Sequence, residues 1–274
     1  MMIKIALIQQ KATQNIKYNI QKGLNSVREA AEAGAKIICF PELSFTPFYP
    51  QKPSESLPLH LAETIPGYTT DNFSLLAKDL DIIIILNLYE LEGNCAFDSS
   101  PLINTDGEII SITRMIHITD YPCFHEKEYY TPGNKGVAVC ETKFGRIGIA
   151  ICYDRHYPEY MRTLALQKAD IVFIPQAGAV DEWPEGLFEA EMRVASFQNG
   201  YFSALCNRVG VEECLTFSGE SFVCDPTGKV IAQAKKCEED ILICDVDLEL
   251  AQKSHARKLF LNDRRPELYR KWIT

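Results

Sequence analysis

Cys152 has the clearest chemical potential in the chain, because it lies where an apolar run gives way to polar residues. Residues 148–151 predict a buried strand that ends at this point. A group at the carboxyl end of a buried strand in an α/β protein faces the usual ligand crevice. A thiol there is a candidate nucleophile, and N–H groups of the following turn can stabilise an oxyanion. The simpler alternative is that Cys152 is one more buried cysteine.

Charged residues after Cys152 bear on its reactivity. Pro158 and Glu159 suit the first turn of a helix, and Arg155 lies just before them. Either the positive end of that helix or the Arg155 guanidinium would lower a thiol pKa from its free value of about 8.5. A guanidinium also matches a carboxylate bidentately. The alternative is that Arg155 pairs with Asp154 or Glu159 for structural reasons.

The composition restricts the class of protein. The chain has 274 residues and a net charge of -9, which disfavours nonspecific nucleic-acid binding. No signal peptide precedes the first strand, and the longest apolar run, 82–86, is too short to span a bilayer. The ten cysteines lack Cys-x-x-Cys spacing and the five histidines lack metal-ligand spacing. We therefore expect a cytoplasmic protein with mostly reduced thiols, no metal, no cofactor, and no nucleic-acid or membrane partner.

The apolar patterns predict strands alternating with helices at first, and hairpins later. The predicted strands are 3–8, 36–40, 82–88, 101–104, 108–115, 137–140, 147–151, 171–174, 201–206, 222–224, 229–232 and 241–246. Helical spacing occurs at 20–31, at 73–77, from Pro158 onward and at 187–197. Mixed sheets with helices on their outer faces fit this order. We predict one α/β domain over 1–274, with 247–274 as a C-terminal tail.

Several separate segments resemble the motifs of the nitrilase superfamily of carbon–nitrogen hydrolases. They are FPELSFTPFYP at 40–50, HEKEYYTPG at 125–133, ICYDRHYPE at 151–159, NRVG at 207–210 and DRRPELY at 263–269. Their order and spacing match the family over essentially the whole chain. The resemblance implies a four-layer α-β-β-α sandwich. It also implies a homodimer or higher homo-oligomer, with the tail packing at an interface between subunits.

The resemblance also implies a catalytic set. Carried over by position, Cys152 is the nucleophile, Glu42 the general base and Glu126 a supporting carboxylate. Glu42 would take the thiol proton, the sulfur would attack a carbonyl carbon, and water would cleave the resulting thioester. We therefore expect a hydrolase acting on a small amide or N-carbamoyl substrate. Without the resemblance, Glu42 could equally be an exposed loop carboxylate and Glu126 a surface acid.

The residues after the nucleophile bear on the substrate. Arg155 and His156 resemble the β-ureidopropionase and N-carbamoyl-D-amino acid branches more than the aromatic-rich N-carbamoylputrescine amidases. The resemblance therefore implies a substrate with a free carboxylate, such as an N-carbamoyl amino acid, bound by Arg155. Tyr153, Trp183 and Asn207 complete the predicted substrate-binding residues.

One position departs from the family pattern. Met115 occupies the place of the catalytic lysine, and a thioether can neither carry charge nor donate a hydrogen bond. Losing an oxyanion donor costs about 100- to 1,000-fold in turnover. Three explanations remain open. Another basic group, such as Arg114 or Lys127, reaches the oxyanion. Backbone N–H groups suffice for an unusual substrate. Or catalysis is lost, and the protein binds a small molecule or a partner.

Overall fold

The computed structural model describes residues 1–272 and contains fifteen strands in that range. The strands are β1 (Met2–Gln9), β2 (Ile37–Cys39), β3 (Ile83–Ile85), β4 (Leu88–Glu92), β5 (Cys95–Ile103), β6 (Ile109–Arg114), β7 (Val139–Thr142), β8 (Gly145–Ile149), β9 (Ile171–Gln176), β10 (Phe202–Asn207), β11 (Val209–Val211), β12 (Thr216–Ser218), β13 (Phe222–Cys224), β14 (Val230–Gln233) and β15 (Asp240–Asp247). The helices are α1 (Ile16–Glu32), α2 (Tyr68–Leu80), α3 (Pro158–Leu166), α4 (Leu187–Asn199), α5 (Glu249–Lys253) and α6 (Pro266–Tyr269). Short 3₁₀ turns cover Tyr49–Gln51, Leu59–Leu61, Glu126–Glu128 and Cys152–His156, and a π-turn covers Ala256–Phe260.

Most of the strands form two sheets. The first has the order β15-β1-β2-β3-β5-β4, with β6 beside β5. The second has the order β14-β13-β10-β9-β8-β7, and β11 pairs with β12 alone. In each sheet the central strands run parallel: β1, β2 and β3 in the first, and β8, β9 and β10 in the second. Parallel neighbours bring the carboxyl ends of these strands to one edge of each sheet.

Side-chain alternation along the strands explains the layers. In β1, Ile5 and Leu7 belong to the apolar core between the two sheets, whereas Ala6 and Ile8 belong to the core beneath α1 and α2. The second sheet repeats the arrangement, because Phe173 faces the inter-sheet core while its neighbours on β9 pack with residues of α3 and α4. The predicted four-layer α-β-β-α sandwich is therefore confirmed.

Local signals set the helix ends. Asn15 caps α1 by accepting a hydrogen bond from the N–H of Tyr18 at 3.0 Å. The chain leaves that helix through Gly34, whose φ of +93° lies in the region that favours glycine. Pro158 occupies the first turn of α3, as predicted, and therefore fixes where the segment after Cys152 becomes helical.

The structure adds elements that the sequence patterns did not predict. Strands β4, β11 and β12 are new, while β15 ends at Asp247, where the predicted tail begins. The tail packs on its own chain: Arg257 pairs with Asp170 at 3.1 Å, and the rings of Phe260 and Phe197 are 5.4 Å apart. Residues 273–274 lie outside the described residues. A single domain over 1–274 and a tail at a subunit interface stay predictions.

No helix within residues 1–272 is long and apolar enough to cross a bilayer.

Candidate active site

Two loops, one from each sheet, bring Glu42 and Cys152 together. Glu42 lies just beyond β2, and Cys152 just beyond β8. The backbone N–H of Glu42 donates to the carbonyl oxygen of Gln176, the last residue of β9, at 3.4 Å. Because β9 is the parallel neighbour of β8, this bond ties the Glu42 loop to the edge where Cys152 emerges.

Both loops contain a strained backbone position. Cys152 has a φ of +39°, and Leu43, directly after Glu42, has a φ of +43°. A residue other than glycine in this region costs about 1–3 kcal/mol, and such positions cluster at functional sites. In the Glu42 loop, the Arg208 guanidinium donates to the carbonyl oxygen of Glu42 at 2.9 Å and also to the carbonyl oxygen of Leu43. The surrounding structure therefore holds the conformation that each loop needs to present its reactive side chain.

Glu42 is fully buried, so the alternative of an exposed loop carboxylate is wrong. Neither of its carboxylate oxygens has a hydrogen bond of normal geometry to any residue in the described part of the chain. Burial, together with the charge of Glu126, raises the pKa of Glu42 to about 7. The nearby Asp98 carboxyl and Cys152 thiol act in the opposite direction. A carboxylate with a pKa near neutrality, beside a thiol, is suited to general-base catalysis.

The Cys152 thiol is protonated in the resting site. Burial, followed by the charge of Glu42, raises the pKa of Cys152 well above its ordinary value. Arg155 lowers this pKa, as expected from the sequence, and so does the N–H of Ala177, but burial dominates. The predicted lowering by Arg155 is therefore present, but the net shift of the thiol pKa is upward. Cys152 needs a base to become a nucleophile, and Glu42 is the neighbouring candidate.

Glu126 is also fully buried, and the alternative of a surface acid is wrong. One of its carboxyl oxygens accepts a hydrogen bond from the N–H of Thr119 at 3.4 Å, and the other has no hydrogen-bond partner among residues 1–272. Burial and the charge of Asp98 raise the pKa of Glu126 well above its usual range. We infer that Glu126 is a neutral acid in the resting site, which suits a supporting role.

The sequence interpretation missed two further polar groups at this centre. Asp98, on β5, is fully buried and accepts a hydrogen bond from Asn87 at 2.5 Å. Burial and the charge of Glu42 raise the pKa of Asp98 well above its usual range. Tyr130 is buried nearby, and its hydroxyl has no partner within the described 272 residues. Two features of the sequence could have indicated them: Asp98 is an acidic residue inside an apolar hairpin, and Tyr130 is the second tyrosine of the HEKEYYTPG segment.

Neither basic residue proposed to replace the missing lysine is free to do so. Arg114 is buried and binds Glu90 at 2.6 Å and Glu92 at 2.8 Å. Lys127 is exposed on a 3₁₀ turn. Met115 itself is buried in the core between the sheets. The first explanation for the departure at Met115 is therefore wrong for both named residues.

Arg155 is buried beside Cys152 and already paired. Its Nε donates to Glu191 at 3.1 Å, and its Nη1 donates to the Cys152 carbonyl at 2.8 Å and to Gln176 at 2.7 Å. Its structural partner is therefore Glu191 on α4, which also contacts His156 at 2.8 Å. Neither Asp154 nor Glu159, the two alternatives named from the sequence, fills that role. Its Nη2 has no protein partner among residues 1–272, so whether Arg155 binds a substrate carboxylate stays a prediction.

The other predicted substrate-binding residues lie at different depths. Tyr153 and Trp183 line a mainly apolar cleft of about 250 Å³ next to the nucleophile loop. The side chain of Asn207 is bonded to both backbone groups of Gly178, with its Oδ1 accepting at 2.7 Å and its Nδ2 donating at 3.1 Å. Asn207 therefore orders the loop after β9. Contact of these three residues with substrate stays a prediction.

The segment between Met115 and Glu126 is joined to two other loops. Tyr121 donates to Glu182 at 2.6 Å, which links this segment to the loop that carries Trp183. Cys123 forms a disulfide with Cys214. The other eight cysteines are free thiols, which agrees with the prediction that most are reduced.

A four-layer sandwich with a cysteine and a buried glutamate meeting at one edge defines the nitrilase class of fold. Residues 4–256 match the carbon-nitrogen hydrolase family, and the chain belongs to it. It is 32% identical to the N-carbamoylputrescine amidase of Solanum lycopersicum over 100% of this chain and 95% of that protein. It is 33% identical to the citrullinase of Francisella tularensis subsp. tularensis over 97% and 96%.

A solved structure supports the same assignment. The crystal structure of a carbon-nitrogen hydrolase from Helicobacter pylori G27 is 29% identical and has a TM-score of 0.92. The match covers 100% of this chain and 99% of that one. The protein is therefore a hydrolase of carbon–nitrogen bonds, and loss of catalysis is not favoured.

Proposed function

We propose that the protein hydrolyses the carbamoyl group of a small N-carbamoyl compound through a thioester on Cys152. The observation that carries this proposal is the meeting of a buried Glu42 carboxylate, with a pKa of about 7, and the Cys152 thiol. Glu42 takes the thiol proton as the sulfur bonds to the carbamoyl carbon. The carbon–nitrogen bond breaks as the leaving nitrogen takes that proton. Glu42 then deprotonates water, which attacks the carbonyl carbon of the S-carbamoyl cysteine. The sulfur leaves and takes the proton back from Glu42, and the released carbamic acid decomposes to carbon dioxide and ammonia.

The charges near the cleft support a substrate whose far end is cationic. N-carbamoylputrescine and citrulline, the compounds in the names of the two relatives, each carry a ureido group at one end of an alkyl chain and an ammonium at the other, where citrulline also has a carboxylate. In this protein Glu191 lines the cleft and pairs with Arg155. An ammonium bound in the cleft would have Glu191 as an acidic partner, whereas a lone carboxylate there would meet a like charge. We therefore propose an ω-ureido amine as the substrate.

A carboxylate-bearing substrate is the second candidate. The observation in its favour is the Nη2 of Arg155, which is buried and has no protein partner within the described range. An N-carbamoyl amino acid could place its carboxylate at that atom, as the resemblance to the β-ureidopropionase branch implies.

A substrate series tests both proposals. Purified protein would be given N-carbamoylputrescine, citrulline and N-carbamoyl-β-alanine, with ammonia release as the readout and Cys152→Ala as the blank. We expect kcat/KM to fall in that order. If N-carbamoyl-β-alanine is the best substrate and Arg155→Met raises its KM alone, the carboxylate candidate replaces the amine. Absence of Cys152-dependent ammonia release from all three would contradict the proposed function.

We also propose that the enzyme is a cytoplasmic homodimer or higher homo-oligomer. Eight of the ten cysteines are free thiols, which favours a reducing compartment, whereas the single Cys123–Cys214 disulfide is more typical of an oxidising one. An apolar patch on α4 and the π-turn, containing Val194, Phe197, Leu259 and Phe260, is exposed and suits a subunit contact. Light scattering of the purified protein would test this, since a monomer at micromolar concentration would contradict it.

A further inference from the structure

The catalytic centre lacks the lysine that the family pattern implies, because Met115 occupies its place. When sulfur attacks the carbamoyl carbon, negative charge develops on the carbonyl oxygen, and a hydrogen bond to that oxygen is worth about 100- to 1,000-fold in rate. The side chain of Met115 cannot provide one. The N–H of Ala177 acts on the Cys152 thiol, whose pKa it lowers. A side-chain donor close to the Met115 position would complete the site.

The backbone places Tyr130 next to that position. The N–H of Gly133 donates to the carbonyl of Met115 at 2.8 Å, so the segment that follows Tyr130 lies against Met115. The N–H of Met115 in turn donates to the carbonyl of Asp98 at 2.9 Å. The N–H of Tyr130 donates to the carbonyl of Glu126 at 2.8 Å. Tyr130 is therefore held between the Met115 turn, the strand that carries Asp98 and the turn that carries Glu126.

The Tyr130 hydroxyl is buried and unused. Tyr130 is 3% exposed, and its hydroxyl oxygen has no hydrogen-bond partner among the residues that the structure describes. Burial and the charges of Asp98, Glu42 and Glu126 raise the pKa of Tyr130 well above its ordinary value. The hydroxyl therefore keeps its proton at neutral pH and remains a donor.

The two tyrosines nearest to Tyr130 are different. The hydroxyl of Tyr89, whose ring is 5.6 Å from that of Tyr130, donates to the carbonyl of Tyr129 at 2.7 Å. The hydroxyl of Tyr129 donates to the carbonyl of Lys52 at 3.0 Å. Both hydroxyl groups therefore already donate hydrogen bonds within the protein. Tyr130 alone of the three has a donor left for a ligand within residues 1–272.

We propose that the Tyr130 hydroxyl takes the place of the missing lysine and donates a hydrogen bond to the carbonyl oxygen of the substrate while Cys152 attacks. The role rests on the proposed function, because it presupposes sulfur attack on a carbonyl. A neutral hydroxyl stabilises an oxyanion without adding a positive charge to the site. Tyr130 is therefore a catalytic residue that touches the reacting oxygen.

Arg155 is the competing donor, because its Nη2 is also unpartnered in the described chain. Its Nη1 and Nε are fixed by Gln176 and Glu191, on the side of the second sheet and α4. Tyr130, by contrast, precedes a segment that contacts Met115, because the N–H of Gly133 donates to the Met115 carbonyl at 2.8 Å. The position of the departure therefore favours the tyrosine.

The first test compares Tyr130→Phe with the matched control Tyr129→Phe. Each substitution removes a single hydroxyl group, and the two positions are adjacent in the chain. We expect Tyr130→Phe to lower kcat about 100-fold with little change in KM or Tm. We expect Tyr129→Phe to lower Tm by a few degrees and to keep kcat. Adding Met115→Lys to Tyr130→Phe should recover kcat at least in part. A Tyr130→Phe enzyme with wild-type kcat would overturn the proposal.

A second test does not need turnover. An aliphatic aldehyde forms a thiohemiacetal with a reactive thiol and so develops an oxyanion, whereas alkylation by iodoacetamide does not. We expect Tyr130→Phe to weaken aldehyde protection of Cys152 about 100-fold while leaving its alkylation rate unchanged. Equal aldehyde affinity in both proteins would overturn the Tyr130 role and leave the proposed function standing. A wild-type Cys152 that neither alkylates nor binds aldehyde would overturn both.

Discussion

Two groups of charged side chains in this protein differ in how their polar atoms are bonded. In the Arg114 cluster, which we define as the buried Arg114 and Glu90 together with the exposed Glu92, the guanidinium is bonded through Nε, Nη1 and Nη2. In the Cys152 centre, which we define as Cys152, Glu42, Glu126, Asp98 and Tyr130, buried carboxyl oxygens have no partner among residues 1–272.

The difference separates folding from chemistry. A buried ion pair that satisfies its donors contributes a fixed geometry, and breaking it leaves an uncompensated charge. A buried carboxylate without partners destabilises the fold, and proteins retain such groups mainly where function requires them. The Arg114 cluster therefore stabilises the packing of β4, β5 and β6, whereas the unbonded polar atoms of the Cys152 centre are available to bind a ligand.

The largest effect on activity should come from the nucleophile. Cys152→Ala removes the atom that forms the covalent intermediate, and we expect turnover to fall about 10,000-fold or more. The Tm should not fall, because the variant also relieves a buried thiol next to a carboxylate. Steady-state ammonia release and thermal melting check this. Substantial turnover by Cys152→Ala would place the chemistry elsewhere.

The general base comes next. Glu42→Gln keeps the shape of the side chain but cannot accept the thiol proton, so we expect kcat to fall about 1,000-fold. At pH 8 the variant should melt at a higher temperature than the wild type, because it no longer buries a charge. Retained activity, or a lower Tm, would show that Glu42 belongs with the structural charges rather than with the reactive ones.

The Arg114 cluster should respond in the reverse manner. Arg114→Met leaves Glu90 buried and unpaired, and we expect the free energy of unfolding to fall by about 3–5 kcal/mol. Because Arg114 does not face the Cys152 centre, kcat of the folded variant at low temperature should stay near the wild-type value. Denaturant titration and kinetics at one temperature give both numbers. A selective loss of kcat would instead give Arg114 a catalytic role.

The pH dependence gives the smallest but most specific contrast. Glu42 acts as base only when ionised, so kcat/KM should rise with pH and level off above about 7. The free energy of unfolding should instead fall as the pH rises. The folded carboxyl holds its proton up to about pH 7, whereas the unfolded one loses it near 4.5. The wild type should therefore lose stability relative to Glu42→Gln between about pH 4.5 and 7, and no further above that. A pH-independent difference would contradict the raised pKa of Glu42.

The sequence predicted most strands and helices because their apolar periodicity is local. The run at 36–40 became β2, and the spacing at 20–31 became part of α1. Strand β4 was missed because its alternation carries Glu90 at a buried position. The partner that makes this burial possible, Arg114, lies 24 residues further along the chain. Burial of a charge through a distant partner leaves no local pattern.

The site divides in the same way. Cys152, Glu42 and Glu126 were found because they sit in recognisable motifs, and the structure brings them together. Asp98 was missed because its place beside Glu42 follows from the pairing of β5 with β3 in the folded sheet. Arg155 was assigned Asp154 or Glu159 as structural partners from sequence proximity, whereas its ion pair with Glu191 depends on where α4 packs.

The most direct test of the account is the chemical state of Cys152 during turnover. Protein mixed with isotope-labelled N-carbamoylputrescine would be quenched in acid within the first turnover and digested for mass spectrometry. We predict a substrate-derived acyl group on the peptide that contains Cys152, formed by the wild type and absent from Cys152→Ala. Steady release of ammonia with no acyl group on that peptide, or with the label on another residue, would contradict the account.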